Sequence, residues 1–358
     1  MDTRRFHKLL FDAVGRLMPP DGIAVCAVSG GADSMAMLHG LCEVNRMRRC
    51  GWILHVAHLD HHLPHDSSAM MAFVKQTATS LNLCCFTDCA DVPALSKETG
   101  ESIEETGRKV RYTFLERVAL EVGAQAVVLA HHADDQAETV LHRVLRGTGL
   151  RGLSGMPERR PIRDGSEIEI IRPMLSLRRA DARSYLQRRG LSFMHDATND
   201  DIHAATRNRI RHEILPRVGA SINPDVMTAL VRLSKQAGGA IDVIRDAAAE
   251  RFAESRLRDD DDHKSVVLDV SALRDLPRAI QSEVVILALE HLSEGFKFIG
   301  SERIEAVTEL ISGDGKLRNI QLPGGAIVQR RGKRLCFLGS RRGSSITEAS
   351  SLTRNVQS

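Results

Sequence analysis

Residues 1–145 alternate between short apolar runs and longer segments whose apolar positions recur with helical spacing. The apolar runs predict buried β-strands at residues 23–28, 52–57, 83–86 and 126–130. The helical spacing predicts helices at residues 4–18, 35–44, 67–80, 103–122 and 134–145. Continuous apolar strands separated by helices are typical of a parallel sheet covered on both faces. We therefore predict an α/β domain with a doubly wound parallel sheet.

The chain continues with a basic segment. Residues 147–164, rich in Gly, Pro and Arg, predict a linker, and residues 167–171 and 177–189 predict one more strand and one more helix. Residues 151–217 hold 14 arginines against nine acidic residues, a local net charge of +5. Such a charge surplus favours an acidic partner.

A different pattern begins near residue 223. Residues 223–256, 273–292 and 302–311 predict helices, and residues 317–322, 326–330 and 335–338 predict a small antiparallel meander. We therefore predict a catalytic α/β domain at residues 1–220 and a mainly helical domain ending in the meander at residues 221–340. The serine-rich residues 341–358 predict a disordered tail.

Composition narrows the class of protein. With 358 residues, 42% hydrophobic and 27% charged, the chain resembles an average globular protein of two or three domains. It has neither a signal-peptide core nor an apolar run long enough to cross a bilayer, so we expect a cytoplasmic protein. Its seven cysteines include no Cys-x-x-Cys pair, which disfavours a zinc ribbon or an iron–sulfur cluster. Forty of the 49 basic residues are arginine, a side chain suited to phosphate.

The loop after the first predicted strand is a candidate phosphate site. Adjacent glycines let backbone amides converge on a phosphate, the next helix adds its positive end, and an aspartate there is suited to Mg²⁺. The loop matches neither the Walker pattern nor the dinucleotide fingerprint, and a simple turn is the competing interpretation. Its residues are Ser29, Gly30, Gly31, Ala32, Asp33 and Ser34.

Two later strands also end in titratable loops, which in a parallel sheet meet at one edge. A zinc site, acid–base work on a phosphorylated substrate, and ordinary polar loops all remain open interpretations. The loop residues are His58, Asp60, His61 and His62 after the second strand, and His131, His132, Asp134 and Asp135 after a later one.

Several ordered blocks resemble the tRNA(Ile)-lysidine synthetase family of the N-type ATP pyrophosphatases, the PP-loop superfamily. The blocks are SGGADS at 29–34, HLDHHL at 58–63, GRKVRYTFL at 107–115, HHADDQAET at 131–139, LRGTGLRGL at 145–153, RPML at 172–175, DATND at 196–200 and RNRIRH at 207–212. The resemblance implies an adenine nucleotide hydrolase-like fold. It also implies a reaction in which ATP adenylates C2 of the wobble cytidine of a tRNA(Ile) with a CAU anticodon, after which free L-lysine displaces AMP.

The same resemblance implies roles for single residues. Asp33, with Mg²⁺, and Arg111 are expected to neutralise charge during adenylation, and one of Asp134, Asp135 and His132 is expected to bind or deprotonate the lysine amine; which one is left open. Arg108 lies on the same helix face as Arg111. The remaining substrate-binding candidates are His61, His131, Arg207 and Arg211.

Two other functions compete. A tRNA thiolase of the same superfamily would share the phosphate loop but is expected to carry paired Cys-x-x-Cys motifs, which this sequence lacks. A nucleotide-dependent RNA-binding module without catalysis would keep the loop as a sensor. The sequence leaves the oligomeric state open, with a homodimer as one option.

Overall fold

The computed structural model describes residues 1–61, 67–195, 206–257, 265–292, 300–313 and 319–339. The chain forms two compact units, Met1–Gly239 and Ala240–Ser358. The predicted domain boundary at residue 220 lies inside the first unit and stays a prediction. The predicted tail at 341–358 lies outside the described residues.

The first unit contains a six-stranded sheet. In chain order its strands are β1 (Ile23–Ala27), β2 (Ile53–Asp60), β3 (Cys85–Cys89), β4 (Ala126–Val128), β5 (Arg159–Pro161) and β6 (Glu169–Ile171). In space the order is β3-β2-β1-β4-β6-β5, and every pair is parallel except β5 with β6. The chain adds β2 and β3 on one side of β1, then returns to add β4 on the other. The switch point therefore lies between β1 and β4, where open α/β sheets bind ligands.

Helices surround this sheet and connect its strands. They are α1 (Thr3–Leu17), α2 (Ala32–Arg48), α3 (Ser67–Ser80), α4 (Val92–Thr99), α5 (Ile103–Val122), α6 (Ala133–Leu145), α7 (Leu150–Leu153) and α8 (Arg179–Arg189). Beyond the sheet lie α9 (Thr206–Arg209), a π-helical turn (Ile210–Ile214), α10 (Leu215–Ser221) and α11 (Val226–Ser255), the last of which runs into the second unit. No helix in the described ranges is long and apolar enough to span a bilayer.

Each face of the sheet has its own apolar core. Alternate residues of β1 point to opposite faces, so Ala24 and Cys26 join one cluster and Val25 joins the other. The first cluster contains residues of α1, α2 and α8, and the second is built on α5. Where α1 meets α2, a Cβ at Gly40 would lie 2.7 Å from Leu10 Cδ2, so the close approach of these helices requires a glycine.

The second unit places helices against a five-stranded antiparallel sheet. Its elements are β7 (Arg256–Leu257), β8 (Ser265–Asp269), α12 (Val270–Leu273), α13 (Arg278–Leu292), α14 (Ser301–Ser312), β9 (Asn319–Gln321), β10 (Ile327–Arg331) and β11 (Arg334–Leu338). The strand order is β7-β8-β11-β10-β9. Its core joins Val284, Val285 and Leu289 of α13 to Leu268, Val328 and Phe337 of the strands.

The predicted fold class is confirmed, and local elements differ. The segment predicted as a linker at 147–164 contains α7 and β5, an edge strand that ends at Pro161, where the missing amide costs no ladder bond. The meander has two strands more than predicted, β7 and β8. The helix predicted at 273–292 begins later, as α13 at Arg278, because Pro277 disfavours helical geometry at the residue before it; Leu273 instead ends the short helix α12.

Candidate active site

The loop between β1 and α2 forms a tight bend. Gly30 has φ of +91°, and a Cβ there would lie 2.9 Å from Met70 Cγ, so neither the backbone angle nor the space suits another residue. The Ser34 hydroxyl accepts a hydrogen bond from the Ser29 amide at 3.2 Å and donates to the Gly31 carbonyl at 3.0 Å. The loop's own side chains therefore hold the bend in place.

The bend leads directly into the N-terminus of α2. Gly31 is the N-cap residue, Ala32 is the first helical residue, and no side chain caps these amides. The first amides of a helix have no intrahelical acceptor and carry partial positive charge, which makes them suited to a phosphate. Asp33 lies in this first turn, and its Oδ1 atom is buried with no hydrogen-bond partner among the described residues. That oxygen is available to a cation.

A contact across the switch point joins this loop to the loop after β4. The Nε2 atom of His132 lies 3.3 Å from Oδ2 of Asp33. The His132 side chain is almost completely buried, whereas that of Asp33 is one-third exposed. The sequence places these two residues about a hundred positions apart, and the parallel sheet brings them together at the carboxyl ends of neighbouring strands.

His132 also caps α6. Its Nδ1 accepts a hydrogen bond from the Asp135 amide at 3.3 Å, and Oδ2 of Asp135 accepts one from the His132 amide at 3.0 Å, which completes a capping box. Burial alone would lower the pKa of His132. The hydrogen bond to Asp33 and the charges of Asp135 and Asp33 outweigh burial and raise the pKa above its ordinary value.

Two buried carboxylates on the first turns of α6 form a cluster with the half-buried guanidiniums of Arg207, on α9, and Arg211, on the π-helical turn. Glu138, only 1% exposed, accepts from Nε of Arg207 at 2.9 Å and from Nε and Nη2 of Arg211 at 2.6 and 2.9 Å. Oδ1 of Asp135 accepts from Nη2 of both arginines, at 3.1 and 3.2 Å. Because Asp135 and Glu138 are three residues apart on α6 and the arginines four apart, each pair shares one helix face.

The cluster fixes the charge of Asp135. Burial acts to raise its pKa, but the charges of His132 and Arg207 outweigh burial and lower the pKa to about 2. Hydrogen bonds and the charge of Glu138 likewise raise the pKa of Arg211 against the effect of burial. Asp135 is therefore a permanent anion near neutral pH and a poor proton acceptor.

Asp134 faces a different pair of partners. Its Oδ1 lies 3.2 Å from Nε of Arg178, and its Oδ2 accepts the backbone amide of Arg179 at 2.8 Å. Nη2 of Arg179 also lies 3.6 Å from Glu138. Asp134 thus connects the start of α6 to the start of α8, and it remains half-buried beside His132, with Oδ2 3.6 Å from Nδ1.

His131 and the arginines of α5 have other partners. Nδ1 of His131 accepts from Nε of Arg172 at 3.2 Å. Burial lowers the pKa of His131 to about 3, so the ring is neutral near neutral pH. On α5, the guanidinium carbons of Arg108 and Arg111 lie 4.8 and 5.6 Å from the ring centroid of Tyr112. Nε of Arg111 is buried without a partner among the described residues.

The histidine-rich segment after β2 divides into different environments. His58 lies within β2, where its Nδ1 donates to the Val28 carbonyl at 2.8 Å, and burial lowers its pKa. Its described hydrogen bond is therefore with the backbone at the end of β1 and not with a residue of the candidate site. His61 packs beside α5 at Gly107. His62 and the block at 196–200 lie outside the described residues.

Within the described ranges, no group of three or more His, Cys, Asp or Glu side chains has the arrangement of a metal centre. Magnesium needs fewer protein ligands, since it is usually held by one or two carboxylates together with substrate phosphates and water. The buried, unpartnered Oδ1 of Asp33, next to the uncapped amides of α2, fits this requirement.

The structure brings together most of the predicted site residues and adds others. Asp33, His132, Asp135, Arg207 and Arg211 form one connected network. Sequence reasoning missed several of their partners, among which Glu138 is the most buried. A signal for Glu138 was available in the sequence: two acids share one face of α6, and two arginines share one face near residue 210. The missed residues are Glu138, Arg172, Arg178 and Arg179.

The chain is similar to known proteins over most of its length. The model of the PP-loop domain family matches residues 3–218. A tRNA(Ile)-lysidine synthase of Geobacter sulfurreducens is 34% identical over 331 residues, which are 91% of this chain and 67% of that protein. A tRNA(Ile)-lysidine synthase of Thermus thermophilus is 35% identical over 342 residues, 95% of this chain and 61% of that protein.

The chain is shorter than these relatives, spanning about two thirds or less of their lengths. Among solved structures, the U34-tRNA thiolase NcsA of Methanococcus maripaludis, solved with its 4Fe–4S cluster, is similar in fold. The TM-score is 0.51 at 13% identity, over 65% of this chain and 77% of that one. At this identity the likeness concerns the fold alone.

Proposed function

The chain belongs to the tRNA(Ile)-lysidine synthase family of PP-loop domain proteins, and on that premise we propose that it attaches lysine to the wobble cytidine of a tRNA(Ile) with a CAU anticodon. ATP adenylates the C2 carbonyl oxygen and pyrophosphate leaves; the lysine side-chain amine then displaces AMP and gives lysidine. The observation that carries the proposal is the contact of 3.3 Å between Asp33 and His132, which joins the phosphate loop to the acidic loop in one site.

In the first step the bend at residues 29–34 holds the triphosphate. The uncapped amides of α2 and the hydroxyls of Ser29 and Ser34 are the donors for phosphate oxygens. Asp33 would hold a magnesium ion through Oδ1, and the ion would supply positive charge to the leaving pyrophosphate. No covalent enzyme nucleophile is needed, because the cytidine oxygen itself attacks the α-phosphorus.

Arginines neutralise the charge that develops in this step. Arg111 is the best placed, since its Nε is buried and has no partner among the described residues. Positive groups aimed at a developing charge in a water-poor site act more strongly than they would in water. Arg108, exposed on the same face of α5, is the candidate for holding the RNA.

In the second step the lysine amine must lose a proton before it attacks. Asp135 has a pKa of about 2 and is a poor acceptor, so we assign it, with Asp134, to attracting the ammonium. The hydrogen bond to Asp33 and the charges of Asp135 and Asp33 outweigh burial and raise the pKa of His132, so its ring is a better proton acceptor than Asp135 and is our candidate for the proton. Arg207 and Arg211 orient Asp135. His61 and His131 stay predicted substrate contacts.

The direct test is incorporation of radiolabelled lysine into a CAU-anticodon tRNA(Ile), with saturating ATP and magnesium. We expect incorporation that depends on all three substrates and is lost in Asp33→Ala. The matched control is Asp88→Ala, which removes a carboxylate from the exposed pair with Arg117 and should retain activity. Absence of incorporation by the wild-type chain, despite RNA binding, would instead favour a non-catalytic RNA-binding module. A substrate of this kind places the reaction in the cytoplasm.

A further inference from the structure

Three arginines lie close to the ring of Tyr112, and a fourth acts on its hydroxyl. The guanidinium carbons of Arg108, Arg160 and Arg111 lie 4.8, 5.2 and 5.6 Å from its centroid. The fourth, Arg172, is close enough that its charge, like those of the other three, acts on the tyrosine hydroxyl. The arginines come from α5, from β5 and from the residue after β6, so tertiary structure rather than sequence assembles this Tyr112 cluster.

Among the described residues, no carboxylate forms an ion pair with any of the four arginines of the Tyr112 cluster. Arg160 donates to the backbone carbonyls of Pro161 and Ile162, and Arg172 to that of Pro157. His131, the other polar contact of Arg172, is neutral near neutral pH. The local charge is therefore about four positive units, and like charges at this range repel one another.

The electrostatic consequences support this count. Burial acts to raise the pKa of Tyr112, yet the charges of Arg108, Arg111, Arg172 and Arg160 lower it. Burial also lowers the pKa of Arg172 to about 10, and repulsion from Arg160 and Arg108 adds to the effect. Tyr112 opposes the shift of Arg172 through its charge and a hydrogen bond but does not cancel it, and a bound anion would relieve the remaining repulsion.

The cluster also opens to solvent along one direction. Arg172 is 3% exposed, Arg111 and Arg160 are half-buried, and Arg108 is exposed. An enclosed small anion would require burial on all sides, whereas a polymer that crosses the surface needs an open edge. Guanidiniums on an aromatic ring also present the planar fork that suits phosphate oxygens.

We propose that the Tyr112 cluster, through its more exposed arginines Arg108 and Arg160, binds backbone phosphate of the tRNA, next to the site where the cytidine reacts. This inference rests on the proposed function for the identity of the RNA, but the binding itself needs neither ATP nor lysine. Arg160, which sequence patterns assign to a linker, becomes a phosphate contact. Such a contact positions the RNA and carries no sequence information.

The test is the salt dependence of tRNA binding by the full chain, without ATP or lysine, measured by fluorescence anisotropy. Loss of one phosphate contact in Arg160→Gln should reduce the slope of log K against log salt by about 1 and weaken cognate and non-cognate tRNA equally. Arg160→Lys keeps the charge and should keep most of the slope. Arg108→Gln should act like Arg160→Gln.

Arg117→Gln is the matched control. Arg117 lies on the same helix and over an aromatic ring, that of Phe114, but it pairs with Asp88. Its charge is already compensated, so its loss should leave the slope unchanged. The inference is overturned if Arg160→Gln and Arg117→Gln have the same slope as the wild type.

A second measurement distinguishes phosphate of the tRNA from phosphate of ATP. Calorimetric titration with ATP should give the same affinity for Arg160→Gln as for the wild type. If ATP affinity falls and the salt slope for tRNA is unchanged, the cluster holds the triphosphate and the inference is wrong. Failure of the proposed function has a different signature: the wild type would bind tRNA with the full salt slope but incorporate no lysine.

Discussion

Replacing Glu138 with glutamine should destabilise the first unit by about 3–5 kcal/mol, the usual cost of removing one partner from a buried ion pair. Glutamine keeps the size of the side chain but removes its charge. The wild-type carboxylate, 1% exposed, accepts three guanidinium hydrogen bonds of 2.6 to 2.9 Å from Arg207 and Arg211. Each charge-assisted bond contributes about 1.5–3 kcal/mol, and because they share one acceptor group their contributions overlap.

Urea unfolding measured by tryptophan fluorescence is the appropriate assay. Trp52 is the only tryptophan in the chain, and it is buried in the core that α1, α2 and α8 share. Its emission therefore reports unfolding of the first unit. The free energy of unfolding follows from the midpoint and slope of the transition.

Glu158→Gln is the control for this experiment. Glu158 pairs with Arg16 at 3.5 Å, but both side chains are about half exposed, so its loss should cost less than about 1 kcal/mol. If Glu138→Gln costs no more than Glu158→Gln, the cluster on α6 does not contribute as a buried, mutually dependent network, and the reasoning is refuted.

Three further predictions concern the loops at the switch point. Because its folded-state pKa is raised, the stabilising contribution of His132 should be complete below its ordinary pKa of 6.5 and fall as pH rises through the raised value. The difference in urea midpoint between wild type and His132→Gln should therefore shrink as pH rises above 6.5, and a growing difference would contradict the assignment. Asp33→Asn should lower the pKa of His132 in an NMR titration and reduce lysine incorporation by about 100-fold or more; an unchanged histidine titration would disprove the contact. Gly30→Ala should weaken ATP binding by about tenfold or more in calorimetry, because φ is +91° and Met70 blocks the Cβ. The double variant Gly30→Ala/Met70→Ala removes the clash but not the backbone strain, so it should recover ATP affinity only in part. Full recovery would show that the backbone angle is unimportant.

The sheet and its ligand-binding edge were predictable because their signals are local. Alternation of apolar strands with amphipathic helices specifies a parallel sheet, and polar loops at the strand ends then meet at one edge. The glycines at 30 and 31 and the acids at 134 and 135 lie in such loops. Their meeting through Asp33 and His132 follows from strand order, which places β1 beside β4.

The partners within the site were less predictable. Glu138 lies on the buried side of an amphipathic helix, and its arginine partners are 69 and 73 residues further along the chain. Nothing local indicates which acid pairs with which arginine, since ion pairs form wherever the fold brings charges together. The position of Arg160 could not be predicted either, because the three-residue strand β5 contains two arginines and a proline and has no apolar pattern.

The second unit shows a similar limit. Residues 265–269 form β8, which lies between β7 and β11 in the sheet. The run Val266, Val267 and Leu268 is short, and a run of three apolar residues suits a strand or a helix equally well. Pairing with β11 decides between the two, and that pairing joins residues about 70 positions apart.

The identity of the nucleotide products tests the central claim most directly. With ATP labelled on the α-phosphate, a CAU-anticodon tRNA(Ile) and lysine, the account predicts labelled AMP and one pyrophosphate for each lysine incorporated. When lysine is omitted the label should accumulate on the tRNA, because adenylation comes first and the step that displaces AMP is missing. Release of ADP and orthophosphate instead would mean that attack occurs at the γ-phosphate, and the role given to the bend at residues 29–34 would be wrong.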